Sequence, residues 1–304
     1  MNKITRFGCR KEGLDVGLKD SELTVMSYNL RFFSNSRGWE GRDPSLTMST
    51  VLKTDPDVVG FQEVNQKSLG GWDDHFPMLT SNGYSQVRGE DSQEAHFIRQ
   101  DLFYKTQKFT ELESGTVFFK PTAEGLHVPN LEHADESLDH HGKLGRSCTY
   151  VALRDKTTGA EYLLVDVHLH YGGTGAGHEE DDKLRRYEIR TLLSWLETKS
   201  YPNQIVFGDM NSHYQGTGQG AVNMKVYTDA GFEISAETAT VKGDTGGTLA
   251  ITGRTIRAEW TFDYIMTRGD LQASYYTVVD NPVDANGSYP SDHIPILAKI
   301  VCTK

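Results

Sequence analysis

The segment 205–211 joins an apolar run to two side chains that could do chemistry. It reads IVFGDMN, and such a run is typical of a strand that is buried on both faces. Since residues two apart on a strand point to the same side, we expect Asp209 and Asn211 to lie together at its carboxyl end. Ligands usually bind at this edge of α/β sheets, so the carboxylate and the amide are candidates for a ligand site.

Five further segments combine an apolar run with a polar end. A single polar residue after a strand can simply cap a turn, and a histidine there can be an ordinary buried side chain. Six such ends in one chain instead indicate a shared site. The five other ends carry Asn29, Gln62 with Glu63, Asp166 with His168, Asp263, and Asp292 with His293.

Two strand–helix–strand units are expected to position most of these ends. One helix should begin at Asp43-Pro44, a cap followed by a first-turn proline, and should stop at Asp55-Pro56. A second is expected over 181–199, where apolar residues recur at spacings of three and four. Hairpin strands are expected over 116–119 and 149–153, which makes the sheets mixed rather than parallel. Two sheets packed face to face with helices outside would bury all of these runs, which predicts an α/β fold.

The composition is that of a globular chain with an acidic surface. The 304 residues carry a net charge of -11, and the mean hydropathy is -0.52. No segment reaches the roughly 18 to 20 apolar residues that a membrane helix needs. Because non-specific duplex binding depends mainly on Lys and Arg, the chain should be a poor general nucleic-acid binder. A bound cation could still supply local positive charge.

The organisation predicts one domain over residues 23–304, preceded by an N-terminal extension over 1–22. We expect a monomer with no obligate protein partner and no membrane span. The first twenty residues lack the apolar stretch of a signal peptide, which favours a cytoplasmic location. Secretion is the alternative if the chain is a mature fragment.

The three cysteines, Cys9, Cys148 and Cys302, are widely spaced along the chain. An odd count argues against a disulfide framework and fits a reducing compartment, although a Cys9–Cys302 bridge stays open. Cys148 lies in an apolar run and is expected to fill space in the core.

Long polar loops are expected to form the rim of the site. The segment 124–141 stands out because it holds four histidines among acidic residues. It could bind an additional metal ion, or it could be a solvated polar loop.

In their order along the chain, these motifs resemble those of the endonuclease/exonuclease/phosphatase superfamily, which includes DNase I, abasic-site endonucleases, sphingomyelinases and inositol polyphosphate 5-phosphatases. The resemblance spans about residues 23 to 301. Within the superfamily, the chain is similar to a bacterial hydrolase branch, since it has an early Tyr-Asn-Leu-Arg and a late Tyr-Pro-Ser-Asp-His. It implies a DNase I-like, four-layer α/β/β/α sandwich and phosphoester hydrolysis with one or two Mg²⁺ or Mn²⁺ ions. The motifs that carry it are Tyr28-Asn29, Gln62-Glu63, His168, 208–211, Phe262-Asp263-Tyr264 and Ser291-Asp292-His293.

The resemblance also implies roles for individual side chains. Carboxylate and amide oxygens are suited to Mg²⁺, and an imidazolium can stabilise charge on phosphorus oxygens. The implied catalytic residues are His168, Asp209, Asn211, Asp263 and His293. The implied metal ligands are Asn29, Glu63, Asp209 and Asp292. The implied phosphate contacts are Arg31 and Arg146, and His170 is a further candidate phosphate contact of this chain.

The chain departs from the superfamily pattern around His168. Asp166 and His170 flank it where relatives often have asparagine and aspartate, so either could add a ligand. The Trp-Cys-Asp-Arg run of inositol 5-phosphatases is absent at Asp263. We expect a phosphodiesterase, either nuclease-like or acting on a small or lipid-linked phosphodiester. A phosphomonoesterase and a catalytically silent binding module are the alternatives.

Overall fold

The structure is a computed structural model that describes residues 22–31, 43–65, 71–90, 99–119, 146–172, 178–213, 219–251, 255–256, 260–279 and 289–303. Its strands, in chain order, are β1 (Leu23–Asn29), β2 (Val58–Val64), β3 (Tyr84–Arg88), β4 (Arg99–Lys105), β5 (Phe109–Phe118), β6 (Ser147–Asp155), β7 (Glu161–His168), β8 (Gln204–Asp209), β9 (Glu233–Ile234), β10 (Val241–Lys242), β11 (Ala250–Ile251), β12 (Thr255–Ile256), β13 (Asp263–Arg268), β14 (Leu271–Val278) and β15 (Ile296–Cys302). Its α-helices are α1 (Pro44–Thr54), α2 (Pro77–Thr80), α3 (Glu179–Glu197), α4 (Gln219–Asp229) and α5 (Ser235–Thr238).

The strands form two large mixed sheets. The first is seven-stranded with the order β10-β14-β15-β1-β2-β4-β3, and the second is six-stranded with the order β5-β6-β7-β8-β13-β9. Within them β1 pairs with β2, and β7 with β8, in parallel, while most other pairs are antiparallel. β11 and β12 pair as a separate ribbon.

Three apolar clusters define the layers. The first contains residues of both sheets, such as Val25 and Phe207, and lies between them. The second joins the outer face of the six-stranded sheet to α3 and α4 through residues such as Leu192 and Met224. The third joins the seven-stranded sheet to α1 through residues such as Met48. The layers are therefore helix, sheet, sheet and helix, which confirms the predicted α/β fold with a four-layer arrangement.

Both predicted helices form, with small differences at their ends. The Asp43 side chain accepts a bond from Ser45 N at 2.9 Å, and Pro44 starts α1. The helix ends at Thr54, and its C-cap residue Asp55 adopts a left-handed conformation with a φ of 53°. α3 spans residues 179–197 rather than 181–199, and its apolar stripe, including Ile189 and Leu196, is buried against the six-stranded sheet.

Some expectations concern segments outside the described residues. The N-terminal extension, the histidine-rich segment 124–141 and Cys9 all belong to them. Cys148 is free and buried as expected, whereas Cys302 is disulfide-bonded. Cys9 lies outside the described part of the chain, so the Cys9–Cys302 bridge stays a prediction. Among the helices of the described ranges, none is both long and apolar enough to cross a membrane.

Gly60, in the middle of β2, allows the two sheets to approach closely. A Cβ atom there would lie 2.4 Å from Cε2 of Phe207 and 2.7 Å from Cγ of Asp166, both of which belong to the opposite sheet. Real Cβ atoms do not approach other atoms this closely, so the neighbours would have to move. The absence of a side chain at residue 60 therefore sets the spacing between the sheets beneath the strand ends.

Replacing Gly60 with alanine should lower the free energy of unfolding by about 1–3 kcal/mol, because the added methyl group overpacks the space between the sheets. Urea denaturation of the purified variant measures this loss. Gly115→Ala is a matched control, since its Cβ would meet only the Tyr150 ring at 3.1 Å in a partly exposed strand. Equal stability of the two variants would contradict the prediction.

Candidate functional site

The strand register brings the polar strand ends together. His168 lies opposite Asp209 across the parallel pair β7 and β8, and Asp263 lies opposite Asp209 across the antiparallel pair β8 and β13. In the other sheet, Asn29 lies opposite Gln62 across β1 and β2. The carboxyl ends of both parallel pairs thus meet at one edge of the sandwich, where α/β sheets bind ligands.

Glu63, His168 and Asp209 form one group of potential ligands, with one atom of each within 4.8 Å of the others. The Asn29 side chain holds the two carboxylates, because its Nδ2 donates to Glu63 Oε1 at 3.1 Å and to Asp209 Oδ2 at 2.9 Å. Its Oδ1 accepts from the backbone N–H of Arg31 at 2.9 Å. Asn29 therefore presents its nitrogen to the carboxylates, and its oxygen would reach a cation only after a rotation.

Asp209, Asp263 and His293 form a second such group. The imidazole of His293 lies between the two carboxylates, with Nδ1 2.9 Å from Asp263 Oδ2 and Nε2 3.6 Å from Asp209 Oδ2. Burial lowers the pKa of His293, but the negative charges of Asp263 and Asp209 outweigh it, so the pKa is raised well above its ordinary value. His293 is therefore an imidazolium at neutral pH.

His168 has the opposite electrostatic environment. Burial is the main reason that its pKa is lowered well below the ordinary value, and the positive charges of Arg146 and His293 act in the same direction. Nη1 of Arg146 lies 2.7 Å from Nδ1 and 3.0 Å from Nε2 of the imidazole. His168 is therefore a neutral imidazole, and the site contains two histidines in different charge states.

Asp209 is the member shared by both groups. Burial raises the pKa of its carboxyl to about 7, with Asp263 adding to the rise and His293 opposing it. A desolvated carboxylate of this kind is stabilised by a cation. Together with Glu63 and the neutral His168, it forms a set of oxygen and nitrogen donors that fits a divalent metal ion.

Three residues of the site adopt left-handed backbone conformations that are uncommon for side chains of their type. The φ angles are 54° at Arg31, 59° at Glu63 and 46° at Asn211. Each lies within two residues of the end of a strand. Such conformations persist where surrounding contacts hold them, and they concentrate at functional sites.

Asn211 reaches the site by a turn rather than by strand alternation. β8 ends at Asp209, and the left-handed turn at Asn211 lets its N–H donate to Asp209 Oδ1 at 2.8 Å. Its side-chain amide donates instead to the backbone oxygen of Leu169 at 3.0 Å. The expected proximity to Asp209 is present, and the physical reason for it differs from the one that the sequence suggested.

Gly208 precedes Asp209 in a conformation that requires glycine. Its φ is 135°, and a Cβ atom would lie 1.9 Å from the backbone oxygen of Val167. The two parallel strands β7 and β8 therefore approach each other directly next to His168 and Asp209.

Two of the other expected site residues pair with each other. Nη1 of Arg31 lies 2.8 Å from Asp292 Oδ2 in a partly exposed ion pair. Among the described residues, Asp292 belongs to neither potential metal group. The loop that carries it is fixed at the site, since Ser291 Oγ donates to the Asn29 backbone oxygen at 2.7 Å and accepts from His293 N at 3.1 Å.

The structure places Arg146 and His170 differently. Arg146 is buried and contacts His168, whereas the side chain of His170 is directed to α3, with Nε2 2.9 Å from Asp181 Oδ1. The backbone N–H of His170 donates to Glu188 Oε2 at 2.7 Å. The sequence pattern did not predict this contact, although the acidic Glu188 within the apolar stripe of α3 was an available signal.

Gln62 and Asp166 form a buried pair between the sheets, below the potential ligands. Gln62 Nε2 donates to Asp166 Oδ1 at 2.6 Å and to Ser27 Oγ at 3.2 Å. Burial raises the pKa of Asp166 well above its ordinary value, although the bond from Gln62 opposes the rise. Asp166 therefore contacts the opposite sheet, and among the described residues it belongs to neither potential metal group.

Comparison with known proteins adds a family and a fold. A family model described as the Endonuclease/Exonuclease/phosphatase family matches residues 26–293. A CCR4-Not complex 3'-5'-exoribonuclease subunit Ccr4 from Candida glabrata is 23% identical over 343 aligned positions, covering 95% of this chain and 38% of that protein. The chain spans between 24% and 38% of the length of the curated relatives that it matches.

Two solved structures from Bacteroides thetaiotaomicron have a similar fold. One is an endonuclease/exonuclease/phosphatase family protein with a TM-score of 0.72 and 22% identity, covering 93% of this chain and 99% of that one. The other is a mannosyl-6-phosphatase with a TM-score of 0.69 and 23% identity, covering 92% and 99%. At these identities the likeness shows the fold alone.

Asp166→Asn should stabilise the fold increasingly as the pH rises. Because the pKa of Asp166 is raised in the folded state, the stability is complete below the unfolded pKa of about 3.9 and is lost as the pH rises towards the folded value. Asparagine keeps an oxygen for Gln62 and has no proton to lose. The difference in melting temperature between variant and native protein, measured from pH 4 to pH 8, should grow in favour of the variant. A difference that does not change with pH would contradict this assignment.

Proposed function

The chain belongs to the Endonuclease/Exonuclease/phosphatase family, and we propose that it is a divalent-metal-dependent phosphodiesterase. The observation that carries the proposal is the convergence of Glu63, His168, Asp209 and His293 at one edge of the sandwich, with Asp209 shared between the two groups. A complete set of this kind argues against a catalytically silent binding module. Such a module has no need of a buried, desolvated carboxylate between two histidines.

Glu63 and Asp209 are the proposed ligands of Mg²⁺ or Mn²⁺, with His168 as a nitrogen donor beside them. Asn29 and Asp292 remain proposed ligands, although each would have to give up its contact with Arg31 to reach the ion. The two groups of potential ligands are compatible with one ion or with two. When bound, the ion would polarise a phosphoryl oxygen and stabilise the leaving oxygen.

Side chains of the protein would accept and orient the proton that is transferred. Asp209, which lies between His168 and His293, would position the attacking water and accept its proton as the oxygen of the water bonds to phosphorus; its alternative role is to bind a second ion. Asn211 would hold this carboxylate through its backbone N–H. The bond from phosphorus to the leaving oxygen then breaks, and that oxygen takes a proton from solvent or from a protonated side chain.

The cationic groups would stabilise the charge that develops on the phosphoryl oxygens. His293 is an imidazolium oriented by Asp263, so it can donate a charged hydrogen bond to a phosphoryl oxygen. Arg146 is a proposed phosphate contact beside His168, and Arg31 is a second one at the exposed side. His170 would contact phosphate only after leaving Asp181, so we assign it no step.

A phosphodiester is the proposed substrate class, in a short, exposed nucleic acid or in a small or lipid-linked molecule. The similarity over 95% of the chain to a 3'-5'-exoribonuclease subunit supports a diester. The net charge of -11 disfavours long duplexes, whose binding needs many cationic contacts. A phosphomonoesterase is the second candidate, because a structure of the same fold is a mannosyl-6-phosphatase.

Metal removal tests the reaction, and a pair of chromogenic substrates tests its class. EDTA should abolish hydrolysis of bis-p-nitrophenyl phosphate, and an excess of Mn²⁺ or Mg²⁺ should restore it, because the proposed ligands need a cation to act. Release of p-nitrophenol measures the rate. Turnover that persists in EDTA would exclude the proposed mechanism, and faster turnover of p-nitrophenyl phosphate than of the diester would favour the phosphomonoesterase.

Glu63→Gln should reduce turnover about a hundredfold or more while leaving the melting temperature nearly unchanged, because it removes a negative ligand charge without changing the shape of the side chain. Calorimetric titration with Mn²⁺ should show weaker binding by the variant. Glu161→Gln is the control, since Glu161 forms a partly exposed ion pair with Arg154 in β6. Native Mn²⁺ affinity in Glu63→Gln would remove Glu63 from the ligand set.

A further inference from the structure

The first half of α3 packs a charged face against the strand ends. Asp182, Arg185 and Glu188 recur at spacings of three and therefore lie on one side of the helix. All three are fully buried. Charged side chains in such a position are costly to bury unless directional hydrogen bonds compensate them.

The backbone of His170 receives two of these bonds. Glu188 Oε2 accepts from its N–H at 2.7 Å, and Nη1 of Arg185 donates to its backbone oxygen at 3.1 Å. Both backbone polar groups of His170 are thereby bonded to α3. His170 lies only two residues after His168.

The preceding residue continues the connection to Asp209. The N–H of Leu169 donates to the backbone oxygen of Asp209 at 3.0 Å, and its own backbone oxygen accepts from Nδ2 of Asn211 at 3.0 Å. The four backbone groups of Leu169 and His170 are thus divided between α3 and the end of β8. These bonds connect α3 to the backbone of Asp209 and to the side chain of Asn211.

Asp182 connects the same helix, through α4, to the residue that follows Asn211. Its Oδ1 accepts from Nη2 of Arg185 at 2.7 Å and from Nδ2 of Asn223 at 2.8 Å. Asn223, on α4, also donates to Ser212 Oγ at 3.1 Å. The loop that follows Asn211 is therefore held by the same charged face.

We infer that Arg185 and Glu188 are positioning residues that hold His168 against Asp209, where Nε2 and Oδ2 are 3.6 Å apart. The inference rests on the proposed function, because it assigns these two side chains to the same reaction. Neither is within the groups of potential metal ligands of the described chain. They act through the backbone of Leu169 and His170.

Three variants separate positioning from simple stability. Glu188→Ala removes the acceptor for His170 N–H and should lower kcat about ten- to a hundredfold with KM nearly unchanged, since the loss concerns geometry at the reacting groups. Glu188→Gln keeps an acceptor oxygen and should retain kcat within about threefold. Leu196→Ala is the matched control, because Leu196 is buried on the same helix and packs in the apolar cluster. It should lower the melting temperature while keeping kcat.

Amide hydrogen exchange of the native protein and the three variants gives a readout that does not depend on turnover. Exchange at the His170 amide should become about tenfold faster or more in Glu188→Ala and stay native-like in Glu188→Gln. Native exchange and native kcat in Glu188→Ala would overturn the inference. So would an equal loss of kcat in Glu188→Ala and Leu196→Ala at equal melting temperatures. If the native protein hydrolyses no phosphoester, the proposed function fails. The exchange result alone then decides whether Glu188 holds the backbone of His170.

Discussion

The structure depends on accommodating one buried negative charge at the end of β8. Asp209 is almost completely buried, and its neighbours include a second carboxylate, Asp263. An isolated pair of acids in this position would be strongly destabilising. The amide of Asn29, the N–H of Asn211 and the imidazolium of His293 compensate it. These groups surround a single carboxylate because of the register of the strands in the two sheets and the positive φ angles at the strand ends.

The same arrangement explains why two histidines on either side of Asp209 differ in charge. His293 has carboxylates on both ring nitrogens, whereas His168 has a guanidinium against its ring. Each imidazole thus takes the charge state that its neighbours impose. A site with one neutral and one charged imidazole can coordinate a cation on one side and stabilise an anion on the other.

Much of this arrangement could be predicted from the sequence. Apolar runs that stop at polar residues identified the strands that contribute Asn29, Glu63, His168 and Asp209, and the cap at Asp43 identified the start of α1. Two parallel units sufficed to place these ends at one edge. These signals are local, so they can be recognised in the sequence without knowledge of the tertiary fold.

Other features depend on contacts between distant segments, which the sequence pattern does not encode. The pairing of Arg31 with Asp292 joins residues 261 positions apart, and Gln62 meets Asp166 across the two sheets. α4 was missed because its weakly amphipathic sequence follows a polar segment, and β4 because its Arg99 and Asp101 are buried charges within a strand. Packing outweighed local preference at both places.

Gly208 has a consequence for how this scaffold can diversify. Its backbone angle and the proximity of the Val167 oxygen admit no side chain, so the peptide that carries Asp209 is closed to variation. Any side chain at residue 208 would push apart the two parallel strands directly beside His168 and Asp209. Laboratory selection for altered substrates should therefore keep this glycine constant.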